Sequence, residues 1–293
     1  LAVAAMAGST PVHAAPAAKK PFRLGIVISP DENPEQEIKK VHDLGLTTCF
    51  ISTNRYDTQF GAQIKQLLER YKVEPTAVET LGPGEMVWDF MRGPATIGLV
   101  PRNTRQARID ALKRGSDLGK QIGAPFLQTH CGFIPEDPND PMYPELVAAV
   151  KEVASHCKSN GQQFLFETGQ ETPTTLMRTI QDVGLDNVGV GLDTANVILY
   201  GKANPVDAAE IFGKHIKAVH AKDGRWPTDP RKLGEEVAIG QGKVDFKRVF
   251  QIMHRNGYTG AITIEREISG PKQVEDVKRG IAHLNQAIAT LGI

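Results

Sequence analysis

The chain has 293 residues, with 34 Lys and Arg balanced by 34 Asp and Glu, so its formal charge is zero. That balance gives no field to hold nucleic acid or an anionic membrane, and both are excluded as partners. Three scattered cysteines, Cys49, Cys131 and Cys157, provide neither a disulfide framework nor the paired short spacing of a thiolate zinc site. A length near 300 suggests two domains at about 150 residues each, yet α/β barrels of roughly 250 residues form one.

Residues 1–19 stand apart. Leu1 to Ala18 is small, apolar and Ala-rich, and Val12-His13-Ala14 matches the small-residue pattern of a signal-peptide cleavage site. The expectation is an exported protein, periplasmic or extracellular, whose mature chain starts near Ala15. An unstructured tail is the plain alternative. Gly8, Ser9, Thr10 and His13 interrupt this stretch, and no later segment approaches about 18 uninterrupted apolar residues, so no membrane span is expected.

Residues 20–293 alternate two signals. Short apolar runs read as buried strands: Leu24–Ser29, Thr47–Ser52, Val73–Thr80, Phe126–His130, Gln163–Glu167, Val188–Asp193, Ile216–His220 and Ala261–Glu265. Between them lie segments of helical period. In the first, Asn33 caps, Pro34 takes the first position, Ile38, Val41 and Leu44 share a face, and Gly45 ends it. In the last, Val274, Val277, Ile281, Leu284 and Ile288 form one stripe after Pro271. Eight strands each followed by a helix predict a single (β/α)8 TIM barrel. Turns from helix to strand are short, whereas Leu81 to Arg102, Cys131 to Pro144 and Asp223 to Lys243 are long connections leaving strands. In a barrel these gather at the C-terminal ends of the strands, where function sits. Gly189 and Gly191 lie inside a strand and make no dinucleotide motif.

Four consecutive strands end on a metal-type ligand: Phe164-Leu-Phe-Glu167, Val190-Gly-Leu-Asp193, Lys217-Ala-Val-His220 and Thr263-Ile-Glu265. Strand alternation puts each ligand on the face of the residue two before it, namely Leu165, Gly191, Ala218 and Thr263. The other face carries Phe166, Leu192, Val219 and Ile264, suited to pack against helices. Taken singly, such residues are most often solvated or capping groups. Four of them on successive strands with matching parity predict a site for one divalent metal ion, Mn, Mg, Co or Zn, held by Glu167, Asp193, His220 and Glu265. His130 ends the fourth strand with Gln128 two before it, and both are read as substrate-binding, His130 as a polarising group. Glu171 is either a site carboxylate or part of the cap of the helix beginning at Pro173. Lys222 either contacts substrate or pairs with Asp223. His42, His156, His254 and His283 fall in helical segments and read as surface or packing residues. Met86, Trp88, Phe90 and Met91, in the third connection, read as an apolar lid or as a subunit contact, so a homo-oligomer is left open.

The runs ending on the four ligands, extended to Gly191-Leu-Asp193-Thr-Ala-Asn196, Val219-His220-Ala-Lys222-Asp223 and Thr263-Ile-Glu265-Arg266, resemble the xylose-isomerase-like TIM barrels. That superfamily includes sugar isomerases and epimerases, inosose-processing enzymes and endonuclease IV. In its ketose epimerases the matching Glu, Asp, His and Glu bind one divalent ion, and the two glutamates act as acid and base. The resemblance therefore implies Glu167 and Glu265 as a proton-transfer pair. Removing a proton beside a carbonyl makes an enediolate, and carboxylates on opposite faces of the carbon can take a proton from one side and return it to the other. Asn196 stands where epimerases and endonuclease relatives usually carry a His, and reads as a substrate hydrogen-bonder. Arg225 would make the substrate-oxygen contact that relatives place in this stretch. The implied function is a metal-dependent isomerase or epimerase acting on a small carbohydrate or cyclic polyol. A lyase cleaving 3-oxo-glycosides by β-elimination is the alternative. Phosphodiester cleavage of the endonuclease IV type is disfavoured, because it needs more histidine ligands and a basic track.

Overall fold

The computed structural model describes residues 22–292, so the leader lies outside the described residues. Every strand run of the sequence forms, with ends shifted by no more than one residue. The chain runs β1 (Arg23–Ile28), α1 (Pro34–Asp43), β2 (Thr48–Ser52), α2 (Thr58–Tyr71), β3 (Glu74–Glu79), a short α3 (Gly93–Thr96), α4 (Arg102–Ile122), β4 (Phe126–Thr129), α5 (Met142–Ser159), β5 (Gln163–Glu167) and α6 (Pro173–Val183). It continues through β6 (Val188–Asp193), a short α7 (Asn196–Leu199), α8 (Pro205–Phe212), β7 (Ile216–Ala221), β8 (Asp223–Arg225), β9 (Glu235–Val237), α9 (Phe246–Arg255), β10 (Ala261–Ile264) and α10 (Pro271–Ala289).

Strands β1 to β7 and β10 close into a parallel barrel, the seam being the β1–β10 pair with Leu24 opposite Ile262. Strands β8 and β9 form a separate antiparallel hairpin within the long connection from Asp223 to Lys243. Among the described residues, no helix is long and apolar enough to cross a membrane.

Alternation sets what each strand residue meets. Phe166, Leu192, Val219 and Ile264 belong to the apolar layer beneath the helices. Fully burying side chains of this kind stabilises the fold by about 1.5–3 kcal/mol each. Helix starts follow local chemistry: the Asp57 carboxylate accepts from the Phe60 amide at 2.8 Å, and the Thr172 hydroxyl accepts from the Thr175 amide at 3.3 Å. Asn33 holds the N-cap position of α1 as expected, but its side chain makes no capping bond.

Two buried charges tie down the long connections at the mouth. Arg108 of α4 donates to the carbonyls of Pro83 (3.1 Å), Glu85 (3.1 Å) and Gly98 (2.7 Å). The Asp223 carboxylate accepts from the amides of Gly224, Gly240 and Gly242 (each 2.9 Å) and Val244 (3.1 Å).

Candidate active site

The four strand-tip residues converge at the C-terminal mouth, with ligand atoms of Glu167, Asp193, His220 and Glu265 all within 4.8 Å of one another. His220 Nδ1 lies 3.1 Å from Glu167 Oε1 and 3.4 Å from Glu265 Oε2. Asp193 is oriented by its own backbone: Oδ1 accepts from the amides of Ala195 (2.8 Å) and Asn196 (2.7 Å). Glu167 Oε2 accepts from Gln128 Nε2 at 3.1 Å. That bond crosses the barrel interior over Gly191, where a Cβ would stand 2.0 Å from the Gln128 oxygen. A glycine two residues before a ligand thus makes room for the side chain that holds the neighbouring ligand.

Asp193 Oδ2, Glu265 Oε2 and His220 Nε2 are buried without a hydrogen-bond partner. Leaving such atoms unmatched costs about 1–3 kcal/mol each, more for charged groups. Three carboxylates and an imidazole suit a hard divalent cation, so the cluster could hold one.

Electrostatics sharpen the same point. Burial alone would push Glu167 up, but the imidazoles of His130 and His220 hold it well below the usual carboxylate range. Glu265 is likewise held down against burial, by Lys222 and His220. Asp193 goes the other way, because burial, with Glu265 and Glu167 beside it, outweighs Lys222. Burial opposes charge on His220 and Lys222, yet the surrounding carboxylates raise both well above their ordinary values.

The mouth opens into a cavity of about 300 Å³ lined by His130, Asn196, Trp88, Tyr200, Gln170 and Glu265 among others. His130 sits with Nε2 3.5 Å from Glu167 Oε1 and Nδ1 3.2 Å from Gln170 Oε1, and the Trp88 ring meets it edge-on at 5.0 Å. Trp88 of the third connection therefore borders the site, while Met91 of the same connection is exposed. Asn196 Oδ1 accepts from Lys222 Nζ at 3.2 Å.

Two expectations need correction. Lys222 does not pair with Asp223; its Nζ lies 3.3 Å from Glu265 and 3.8 Å from Asp193, and also binds Glu267, while Asp223 is taken up by backbone amides. Arg225 is not brought to the site. The β8–β9 hairpin turns its side chain outward, half-exposed, to Glu235 (3.1 Å) and the Gln241 carbonyl (3.4 Å). Glu171 stands directly before Thr172, the N-cap of α6, and is buried outside the cavity lining, pushed up to about 8 by burial.

Glu79 was not foreseen. It ends β3 and groups with His130 and Glu167 in a second cluster, its carboxyl pushed well above the usual range by burial and by Glu167. Its signal was present, a carboxylate at a strand tip like Glu167, but the run was read one residue too long. Gln170, Tyr200 and Glu267 lie in loops or a short helix, where alternation gives no guidance.

The other end of the barrel also has a cavity, of about 410 Å³. There Arg23 forms a two-bond ion pair with Glu74, and Lys214 and Lys217 lie nearby.

A family model described as xylose isomerase-like TIM barrel matches residues 38–287. The chain belongs to that family. A xylose isomerase domain protein from Planctomyces limnophilus superposes with a TM-score of 0.87 at 29% identity, over 92% of this chain and 99% of that one. A xylose isomerase-like TIM barrel protein from Mycobacterium smegmatis, in complex with magnesium, gives 0.70 at 16% identity over 92% and 97%. D-psicose 3-epimerase from Clostridium cellulolyticum H10, with D-tagatose, gives 0.69 at 15% identity over 91% and 99%. Among curated relatives, inosose dehydratase of Lacticaseibacillus casei is 22% identical over 144 residues, 44% of this chain and 48% of that protein. An uncharacterized protein of Methanocaldococcus jannaschii, MJ1311, is 22% identical over 198 residues, 63% of this chain and 66% of its own length. The matches therefore span less than two thirds of these relatives.

Proposed function

We propose that this protein is a divalent-metal-dependent enzyme that removes a proton from the carbon next to a carbonyl in a sugar or cyclic polyol. The observation that carries this reading is the convergence of Glu167, Asp193, His220 and Glu265, three of them offering buried atoms without a hydrogen bond, in a cluster that reaches a sugar-sized cavity through Glu265. A cation held by these four residues supplies positive charge where negative charge develops on the substrate oxygens. Glu167 and Glu265 are both held ionised by their neighbours, so either is competent as a base. One takes the proton from carbon, and the other, after taking up a proton from solvent, returns it to the opposite face. Asp193 fixes the geometry through its backbone clasp. His130 and Asn196 face the cavity and are placed to bind substrate oxygens, while Trp88 offers an apolar face to a sugar ring and excludes water.

The structural likeness to D-psicose 3-epimerase supports an outcome in which the proton returns to carbon. The sequence likeness to inosose dehydratase supports a second outcome, loss of a β-leaving group after the same first step. Incubating metal-loaded protein with free ketoses, an inosose and 3-oxo-glycosides in D₂O, followed by NMR, separates the two. Deuterium at a retained carbon marks isomerisation or epimerisation; release of water or an aglycone marks elimination. Absence of exchange and of product across the panel would overturn the reading.

A further inference from the structure

Two side chains of the cavity wall take no part in the metal cluster or in proton transfer. Tyr200 and Gln170 line the cavity of about 300 Å³ and are 5% and 1% exposed. The Tyr200 hydroxyl and Gln170 Nε2 are buried with no hydrogen-bond partner among the described residues. A buried donor left unmatched is costly, so a partner that arrives with the ligand explains both.

Packing aims the two groups. Tyr200 follows Asn196 by four residues, its amide donating to the Asn196 carbonyl at 2.9 Å, and both side chains reach the cavity from α7. The Phe133 and Phe90 rings meet the Tyr200 ring edge-on, at 5.8 and 6.2 Å. Gly169 lets this wall close up, because a Cβ there would stand 3.2 Å from Asn196 Cβ and 3.5 Å from the Tyr200 ring. Gln170 is anchored through its other end, with Oε1 3.2 Å from His130 Nδ1, which leaves the amide nitrogen to point elsewhere. Burial pushes the Tyr200 phenol up to about 12 against the pull of the Gln170 amide beside it, so the hydroxyl keeps its proton at neutral pH. His130 separates the pair from the chemistry: its Nε2 lies 3.5 Å from Glu167, while its Nδ1 meets Gln170.

Charge narrows what the pair can hold. The cavity lining contains Glu79, Glu265 and Glu267 but no Lys or Arg. Lys222, behind it, is fully buried and engaged by Glu265 at 3.3 Å, Asp193 at 3.8 Å, and Glu267. A phosphate would find no free cation, and a carboxylate would join three others. A neutral oxygen with two lone pairs can accept from both donors at once.

We infer that Tyr200 and Gln170 together bind one non-reacting hydroxyl of the substrate, and that the substrate is an unphosphorylated ketose or keto-polyol. This rests on the proton-abstraction reading above. A site built to hydrogen-bond a hydroxyl rejects the analogue that lacks it, because its own buried donors then go unpaired. The pair therefore selects among sugars without touching the carbon that exchanges.

The test follows solvent exchange in D₂O on the metal-loaded full chain. Its substrates are the free ketose or inosose that exchanges fastest, the mono-deoxy analogues of that compound, and its phosphate monoester. Each analogue lacks one hydroxyl that is borne neither by the carbonyl nor by the exchanging carbon. One analogue is expected to lose about ten- to a hundredfold in kcat/KM. Tyr200→Phe, which keeps the ring, should lower the parent compound by a similar factor and leave that analogue unchanged, so their ratio falls to near one. Gln170→Met should lower the ratio for the same analogue, and the phosphate ester should exchange at least about tenfold more slowly than the parent. A loss that Tyr200→Phe imposes equally on the parent and every analogue marks a packing role and overturns the inference. Ratios that neither variant moves also overturn it, leaving only water between the two groups. A phosphate ester that exchanges as fast as the parent overturns the substrate class. All three leave the proton-abstraction reading standing, whereas no exchange with any compound defeats that reading and the inference with it.

Discussion

Each end of the barrel carries a cavity, and among the described residues only the C-terminal one is bordered by buried side-chain atoms without a hydrogen-bond partner. At the N-terminal end, about 410 Å³ is bordered by the Arg23–Glu74 pair, whose side chains are half-exposed and fully matched. At the C-terminal end, openings of about 300 and 500 Å³ both reach Glu265, which stands among buried carboxylates, an imidazole and an ammonium. The difference lies in solvent. Charges at the strand starts keep water and need only a loose partner, whereas charges at the strand ends have lost water and are held by neighbours that shift each other's protonation. Volume locates hollows; unmatched buried charge locates reactivity.

That contrast can be broken most sharply at Glu265. Glu265→Gln keeps the size and one oxygen but cannot accept a proton, so exchange of the substrate α-hydrogen with solvent should fall by about 10² to 10⁴ at matched metal content. Near-native exchange with the metal in place would reduce Glu265 to a ligand.

A smaller effect is expected just behind the mouth. Glu171 is fully buried and raised to about 8 from an ordinary 4.5. A carboxyl raised on folding favours the folded state only while protonated. Stability is therefore full below about pH 4.5, declines as the pH rises, and levels off above about 8. Near pH 7 the loss is about 2–4 kcal/mol, from 1.36 kcal/mol per pH unit. Glu171→Gln should thus stabilise the protein at pH 7 and match it near pH 4.5, as denaturant titrations at the two pH values would read. Parallel losses or gains at both would contradict the assignment. The smallest change belongs to the opposite end: Glu74→Ala should alter stability by less than about 1 kcal/mol and leave solvent exchange on the substrate unaffected. A marked loss of exchange there would erase the distinction between the two ends.

Much of this was legible in the sequence because strands obey a strict parity. Glu167, Asp193, His220 and Glu265 could be placed on one face from their spacing to Leu165, Gly191, Ala218 and Thr263, and they lie together. Glu79 escaped because ending β3 at Thr80 instead of Glu79 exchanges its two faces. Arg225 was misplaced for a different reason. Its position depends on the β8–β9 hairpin, whose three-residue strands leave too short a pattern to read. Lys222 and Asp223 are adjacent in sequence but point to opposite environments, one to carboxylates and one to amides. Adjacency suggested a pair that strand alternation forbids.

Arg108 and Asp223 carry a consequence for how this mouth selects its ligand. Each is a buried charge that gathers backbone groups of a connection framing the mouth, three carbonyls in one case and four amides in the other. Loops fixed in this way are ordered when the chain folds, so the association step does not have to freeze them, a saving of about 0.5–1.5 kcal/mol for each side chain already immobilised. A rim of this kind acts as a rigid sieve. With Trp88 and Leu233 on the cavity lining, the rim is already shaped when it meets a ligand.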